Sequence, residues 1–175
     1  MASTPISALT PGEEYLRTHY RPDREYVDGV ILERNVGEND HAYWQKAILL
    51  YLCAREKQLG IYVIQEQRIQ VSPMRFRVPD ICVLSGGRPP EAVFTSPPFV
   101  CIEILSPEDR ISRMQERVDD YLAFGVGYVW VIDPKTRRAW VHTSAGISEA
   151  KDGVLRTRKL RGGPEIIVPL AELFD

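Results

Sequence analysis

Apolar and polar positions alternate along this chain in short blocks, and most blocks have strand length. Glu25-Tyr26-Val27 and Val30-Ile31-Leu32 flank Asp28-Gly29, a pair that suits the positive backbone angles of a tight turn and so predicts a hairpin. Strands are predicted at 61–65, 67–71, 78–84 and 99–105, and a further pair at 128–133 and 138–142 turns through Asp133-Pro134-Lys135. Segments 155–160 and 166–168 carry weaker strand patterns. Three segments have helical spacing instead. Thr10 as N-cap, with Pro11 and two glutamates behind it, starts a short helix ending near His19-Tyr20. Asn39 or Asp40 starts a second, running to about Gln58, with Tyr43/Trp44, Ala47/Ile48 and Tyr51/Leu52 as its stripe and Gly60 beyond its end. A third spans about 109–124, with Met114, Val118, Tyr121 and Leu122 on one face and Gly125 and Gly127 closing it. The order predicts an α/β fold, a mixed β-sheet core flanked by helices with an N-terminal hairpin. Residues 1–10 read as a flexible leader and 11–175 as one domain.

Composition narrows the function classes. With 175 residues, 44% hydrophobic and 26% charged, the chain can bury a sizeable core. A net charge of -2 supplies no global basic field, which argues against a histone-like binder but permits a local basic groove. Cys53, Cys82 and Cys101 lack zinc-ligand spacing and read as three buried thiols of a reducing compartment. Without a signal-peptide pattern or a membrane-length apolar run, a cytoplasmic location is the default expectation.

The candidate chemistry lies in two strands. Glu103 sits inside Phe99-Val-Cys-Ile-Glu-Ile-Leu105, an apolar run with the look of a strand buried on both faces. An ionised carboxylate there needs a cation, a metal or a proton. Asp80 sits in Val78-Pro-Asp-Ile-Cys-Val-Leu84, and antiparallel pairing of the two strands would bring both carboxylates into one cleft. Two carboxylates plus water are how proteins hold Mg²⁺ for phosphate chemistry. Bland alternatives stand beside this: Asp80 as a turn or cap residue, and Glu103 as the buried partner of an arginine on the neighbouring helix. Arg117 lies about 60° from Met114 at the border of that helix's apolar stripe, with Arg113 one turn earlier. Arg117 can reach inward to a carboxylate or phosphate, or pair with Asp120 at the surface.

Taken together, Arg24-Glu25-Tyr26-Val27-Asp28-Gly29, Val78-Pro79-Asp80, Ile102-Glu103-Ile104-Leu105-Ser106-Pro107, Asp120-Tyr121-Leu122, Gly125-Val126 and Tyr128-Val129-Trp130-Val131-Ile132-Asp133-Pro134 resemble the Uma2 family of the restriction-endonuclease-like, PD-(D/E)xK superfamily. The resemblance runs from about Pro11 to Leu173. It implies a Mg²⁺- or Mn²⁺-dependent nuclease core, with Asp80 and Glu103 as metal ligands and a nucleic acid, DNA by preference, as substrate. A homodimer is the assembly expected for cutting both strands. The superfamily lysine two residues after Glu103 is Leu105 here, and the helix lysine of Uma2-like sequences is Arg117. Arginine cannot act as a general base but can stabilise phosphate charge. The water would then be activated by the metal or by another carboxylate, Glu66 or Glu25, and Glu25, His41, Gln45 and Arg113 are further residues that could line the site. The competing expectation is a catalytically inactive nuclease fold that serves as a nucleic-acid-binding or protein-interaction module, with Glu103 tied to Arg117. A glycosidase, the third possibility, is disfavoured by an aromatic content of only 9%.

Overall fold

The structure, a computed structural model, describes residues 11–34, 39–158 and 165–173. The expected leader at 1–10 and the end of the expected 155–160 strand lie outside the described residues. Helix α1 (Gly12–Arg17) is followed by the hairpin β1 (Glu25–Val27) and β2 (Val30–Leu32), whose turn residues Asp28 and Gly29 take φ of 50° and 92° as the Asp-Gly pair predicts. Helices α2 (Asn39–Cys53) and α3 (Glu56–Leu59) lead into β3 (Ile61–Gln65), β4 (Ile69–Ser72), β5 (Arg75–Arg77), β6 (Ile81–Ser85) and β7 (Val100–Ile104). Helix α4 (Ile111–Phe124) is followed by β8 (Tyr128–Asp133), β9 (Arg138–Thr143), β10 (Gly146–Glu149), β11 (Val154–Arg156) and β12 (Ile167–Pro169), and a 3-10 turn spans Leu170–Leu173.

Six strands form the central sheet in the order β10-β9-β8-β7-β6-β3, mixed because β7 and β8 run parallel while their outer neighbours run antiparallel. The period-2 alternation of β7 divides the core. Val100, Ile102 and Ile104 face α2, meeting Trp44, Ile48 and Leu52. Cys101 faces α4, meeting Met114, Val118 and Tyr121. Both faces are therefore covered, and Glu103 shares the α4 side. A second sheet, β2-β1-β5-β4, joins the hairpin to the α4 side of the core through Ile69 and Val71, with Tyr15, Tyr26 and Phe76 as its own cluster. Among the described residues no helix is long and apolar enough to cross a membrane.

Four sequence expectations need correction. The second helix does not continue to Gln58: it stops at Cys53, where Arg55 stacks its guanidinium on the Tyr51 ring at 3.6 Å and donates to the Tyr51 carbonyl at 2.9 Å, taking an acceptor the next turn would use. Cys53 is exposed, not buried, whereas Cys82 and Cys101 are buried and stand opposite each other on β6 and β7. Asp80 lies one residue before β6 rather than within it. Strand β5 went unseen because its arginines read as loop after Ser72-Pro73.

Candidate active site

The β6–β7 register places the two carboxylates. Ile81 pairs with Ile102 and Cys82 with Cys101, so one further step sets Asp80 against Glu103. The Ile104 amide donates to Asp80 Oδ2 at 2.8 Å, which carries the strand contact into the turn. Asp80 is 4% exposed and Glu103 3%. Between them lies a recess of about 10 Å³, room for roughly one water or one ion, walled by Arg34, His41, Asp109 and Arg117.

Each carboxylate is held by groups from other elements. Arg34, just past β2, donates from Nη2 to Asp80 Oδ1 at 2.8 Å, and His41 Nε2, in the first turn of α2, lies 3.2 Å from Oδ2. Gln45, one turn further along α2, donates to the Asp80 carbonyl at 3.1 Å, so its role is to hold the turn rather than to face the recess. Burial opposes ionisation of Asp80, but the His41 hydrogen bond and the Arg34 and His41 charges outweigh it and keep its carboxyl below the usual range. Glu103 Oε1 accepts from the Tyr121 hydroxyl at 2.5 Å, and Arg117 Nη1 lies 3.5 Å from Oε2. Here burial wins: against the opposing Arg117 charge, and with Asp80 and Glu25 adding repulsion, it pushes Glu103 up to about 8.

Behind this pair runs a chain of buried charges. Arg117 Nε reaches Glu25 Oε2 at 3.3 Å, and the same oxygen accepts from Arg77 Nη1 at 2.9 Å. Arg77 donates from Nε to Asp120 at 2.7 Å, and Asp120 also accepts from Arg75 at 2.9 Å. The surface pairing of Arg117 with Asp120 is therefore not formed, because Asp120 serves the β5 arginines and Arg117 turns inward. Of the residues singled out in sequence, Asp80, Glu103, Arg117, Glu25, His41 and Gln45 converge here. Arg113 does not: it is exposed in the first turn of α4 and does not line the recess. Glu66 stands at the rim, its Oε1 3.9 Å from Arg34. Sequence reasoning missed Arg34 and Arg77. Arg77 left a trace, as a charge between Phe76 and Val78 in a run leading to Asp80; Arg34 left none.

A pH dependence follows from Glu103. Free glutamate titrates near about 4.3, so between there and about 8 the folded protein keeps a proton that the unfolded chain has lost. Stability is then expected to fall as pH rises through this window, by at most about 1.4 kcal/mol per unit. Urea unfolding with EDTA present should show a steeper slope in the native chain than in Glu103→Gln, which resembles the protonated carboxyl and leaves only the smaller contribution of the raised His41 imidazole. An identical slope in both proteins would mean that Glu103 ionises freely in the fold.

Comparison with known proteins agrees with this architecture. The profile of the Uma2 family, described as "Putative restriction endonuclease", matches residues 13–170. A crystal structure described as a putative nuclease belonging to DUF820 from Anabaena variabilis shares the fold, with a TM-score of 0.78 at 22% identity over 93% of this chain and 96% of that one. No curated protein matches the sequence. The profile spans nearly every described element, from α1 to the first residue of the closing 3-10 turn, and the chain belongs to the Uma2 family.

Proposed function

We propose that the chain is a Mg²⁺- or Mn²⁺-dependent endonuclease that hydrolyses phosphodiester bonds in DNA. The observation that supports this most is the meeting of Asp80 and Glu103, two buried carboxylates from adjacent antiparallel strands, at one recess. Among the described residues no group of three or more His, Cys, Asp or Glu is arranged to hold a metal. Two carboxylates nonetheless suit Mg²⁺, which keeps several waters and takes the rest of its shell from substrate phosphate. The Asp80 charge is one cause that pushes Glu103 up, and a cation between the two carboxylates would relieve that repulsion. When bound, such an ion would polarise a phosphoryl oxygen and acidify water.

The chain's own residues then divide the work. Asp80 and Glu103 would hold the ion, with His41 and Gln45 fixing Asp80 in place. Arg117, charged at any working pH, faces the recess and would neutralise phosphate charge. It supplies no base, and Glu25 is unsuited to that role because two arginines already grip it. A plasmid-cleavage assay in Mg²⁺ or Mn²⁺ should show cutting that EDTA stops and that Asp80→Asn and Glu103→Gln abolish. Calorimetric titration of Mn²⁺ should show binding to the native chain and none to Glu103→Gln; unchanged binding by that variant would sink the metal assignment. Cutting both strands calls for two such sites, so a homodimer in sedimentation accompanies this proposal.

One observation favours a second reading, a nuclease fold that binds nucleic acid without cutting it. Arg34 already neutralises Asp80, and Arg117 stands 3.5 Å from Glu103, so both carboxylates have a cationic partner without a metal. DNA retained in a gel-shift assay but intact after prolonged incubation with Mn²⁺ would select it.

A further inference from the structure

The charge count of the recess raises a physical problem for any divalent ion. Asp80 and Glu103, both ionised as ligands, supply two negative charges, and the guanidiniums of Arg34 and Arg117 match them. Adding two further positive charges to a site this buried, without removing one, is costly, because charges out of water need near-complete compensation. Release of one arginine lowers that cost.

The geometry distinguishes the two. Arg117 projects from the middle of α4 and is gripped from behind by Glu25, itself 2% exposed, at 3.3 Å. Its hold on Glu103 is looser, at 3.5 Å, so Arg117 keeps a buried anionic partner whatever happens at Glu103. Arg34 is the reverse. It lies outside any helix or strand, just past β2, and its short contact is the 2.8 Å bond to Asp80 Oδ1, a metal ligand under the reading above. Glu103 and Glu25 also act on Arg34, but the second carboxylate within 4 Å of its guanidinium is Glu66, whose side chain is 46% exposed and whose Oε1 lies 3.9 Å from Nη1. A guanidinium leaving Asp80 thus has a solvated carboxylate within reach, and a small swing of the side chain completes the transfer.

We propose that Arg34 is an internal counter-ion that occupies the cation position on Asp80 and yields it to an incoming divalent ion, with Glu66 receiving the displaced guanidinium. The arginine keeps Asp80 paired while the metal is away and sets the threshold concentration at which the site loads. This rests on the metal-binding reading of Asp80 and Glu103.

The test is calorimetric titration of Mn²⁺ alone into the full chain. Arg34→Ala is expected to bind Mn²⁺ about tenfold more tightly or better, since a competing charge-assisted hydrogen bond has gone. The rise in melting temperature on adding Mn²⁺ should be larger as well. Should alanine at this place prevent folding, Arg34→Gln keeps an amide donor near Asp80, removes the charge and should give the same order. Glu66→Gln is expected to weaken Mn²⁺ binding in the native background and to have no effect in the Arg34→Ala background, a coupling that a bystander glutamate would not show. Native protein that binds Mn²⁺ with an affinity Arg34→Ala does not improve overturns the counter-ion role and leaves the metal reading standing. Absence of binding by both proteins overturns the metal reading, and Arg34 then has no ion to yield to.

Discussion

Arg77→Ala is expected to destabilise the protein by about 3–5 kcal/mol, the largest stability loss of any single change around the site. Arg77 is 1% exposed and joins three elements: it lies on β5, donates to Glu25 of β1 at 2.9 Å and donates to Asp120 of α4 at 2.7 Å. Alanine removes the positive charge and leaves Glu25, 2% exposed, with Arg117 and the Val78 amide, each at 3.3 Å. Asp120 fares better because Arg75 remains at 2.9 Å. The loss therefore centres on Glu25, and neutralising both partners should recover much of it. In a double-mutant cycle, Arg77→Met with Glu25→Gln is expected to cost less than the two single changes together, by at least about 1 kcal/mol. Urea denaturation of the four proteins measures this. A loss below about 1 kcal/mol in Arg77→Ala would show that the network has no part in holding the hairpin sheet to α4.

The central sheet was legible because its strands are buried on one or both faces and apolarity marks them. Tyr128–Asp133 was predicted to the residue, and β3 likewise. Asp28-Gly29 fixed the hairpin by local chemistry alone. What escaped in the second sheet was one strand of its four. Strand β5, Arg75-Phe76-Arg77, carries charge at two of three positions, and only tertiary structure explains why: the charges meet Asp28, Glu25 and Asp120. Edge strand β10 escaped for a related reason, since three of its four residues are exposed and leave no alternation to detect. The break after α2 arises from an arginine side chain folding back on its own helix, which periodicity cannot register.

The site was half legible on the same grounds. A carboxylate in an apolar strand signals itself, which is why Glu103 and then Asp80 stood out. The buried arginines around them do not. Arg34 and Arg77 come from segments where arginine is commonplace, and only the fold shows that they are buried. Arg117 was visible as a border residue of an amphipathic helix, but its direction was not, because that depends on Asp120 being engaged by arginines of β5.

Arg117→Ala is expected to separate catalysis from stability. Under the proposed function the loss falls on turnover, about 10²–10³-fold in kcat, as when one preorganised donor to developing charge is removed from a closed site. Stability should fall far less than in Arg77→Ala, by about 1–2 kcal/mol. Glu25 keeps Arg77 at 2.9 Å, and Glu103 need not remain charged, since burial already pushes it up to about 8 and loss of Arg117 removes a force in the opposite direction. A carboxyl that can take a proton escapes the penalty of a stranded charge. Arg117→Lys keeps the charge without the fork and should regain part of the turnover but not all of it. Under the non-cutting alternative the stability loss is the same, but no cleavage is there to lose and DNA retention per folded molecule is unchanged. Single-turnover cleavage rates decide between them, with denaturation midpoints on the same preparations showing that the variant remains folded.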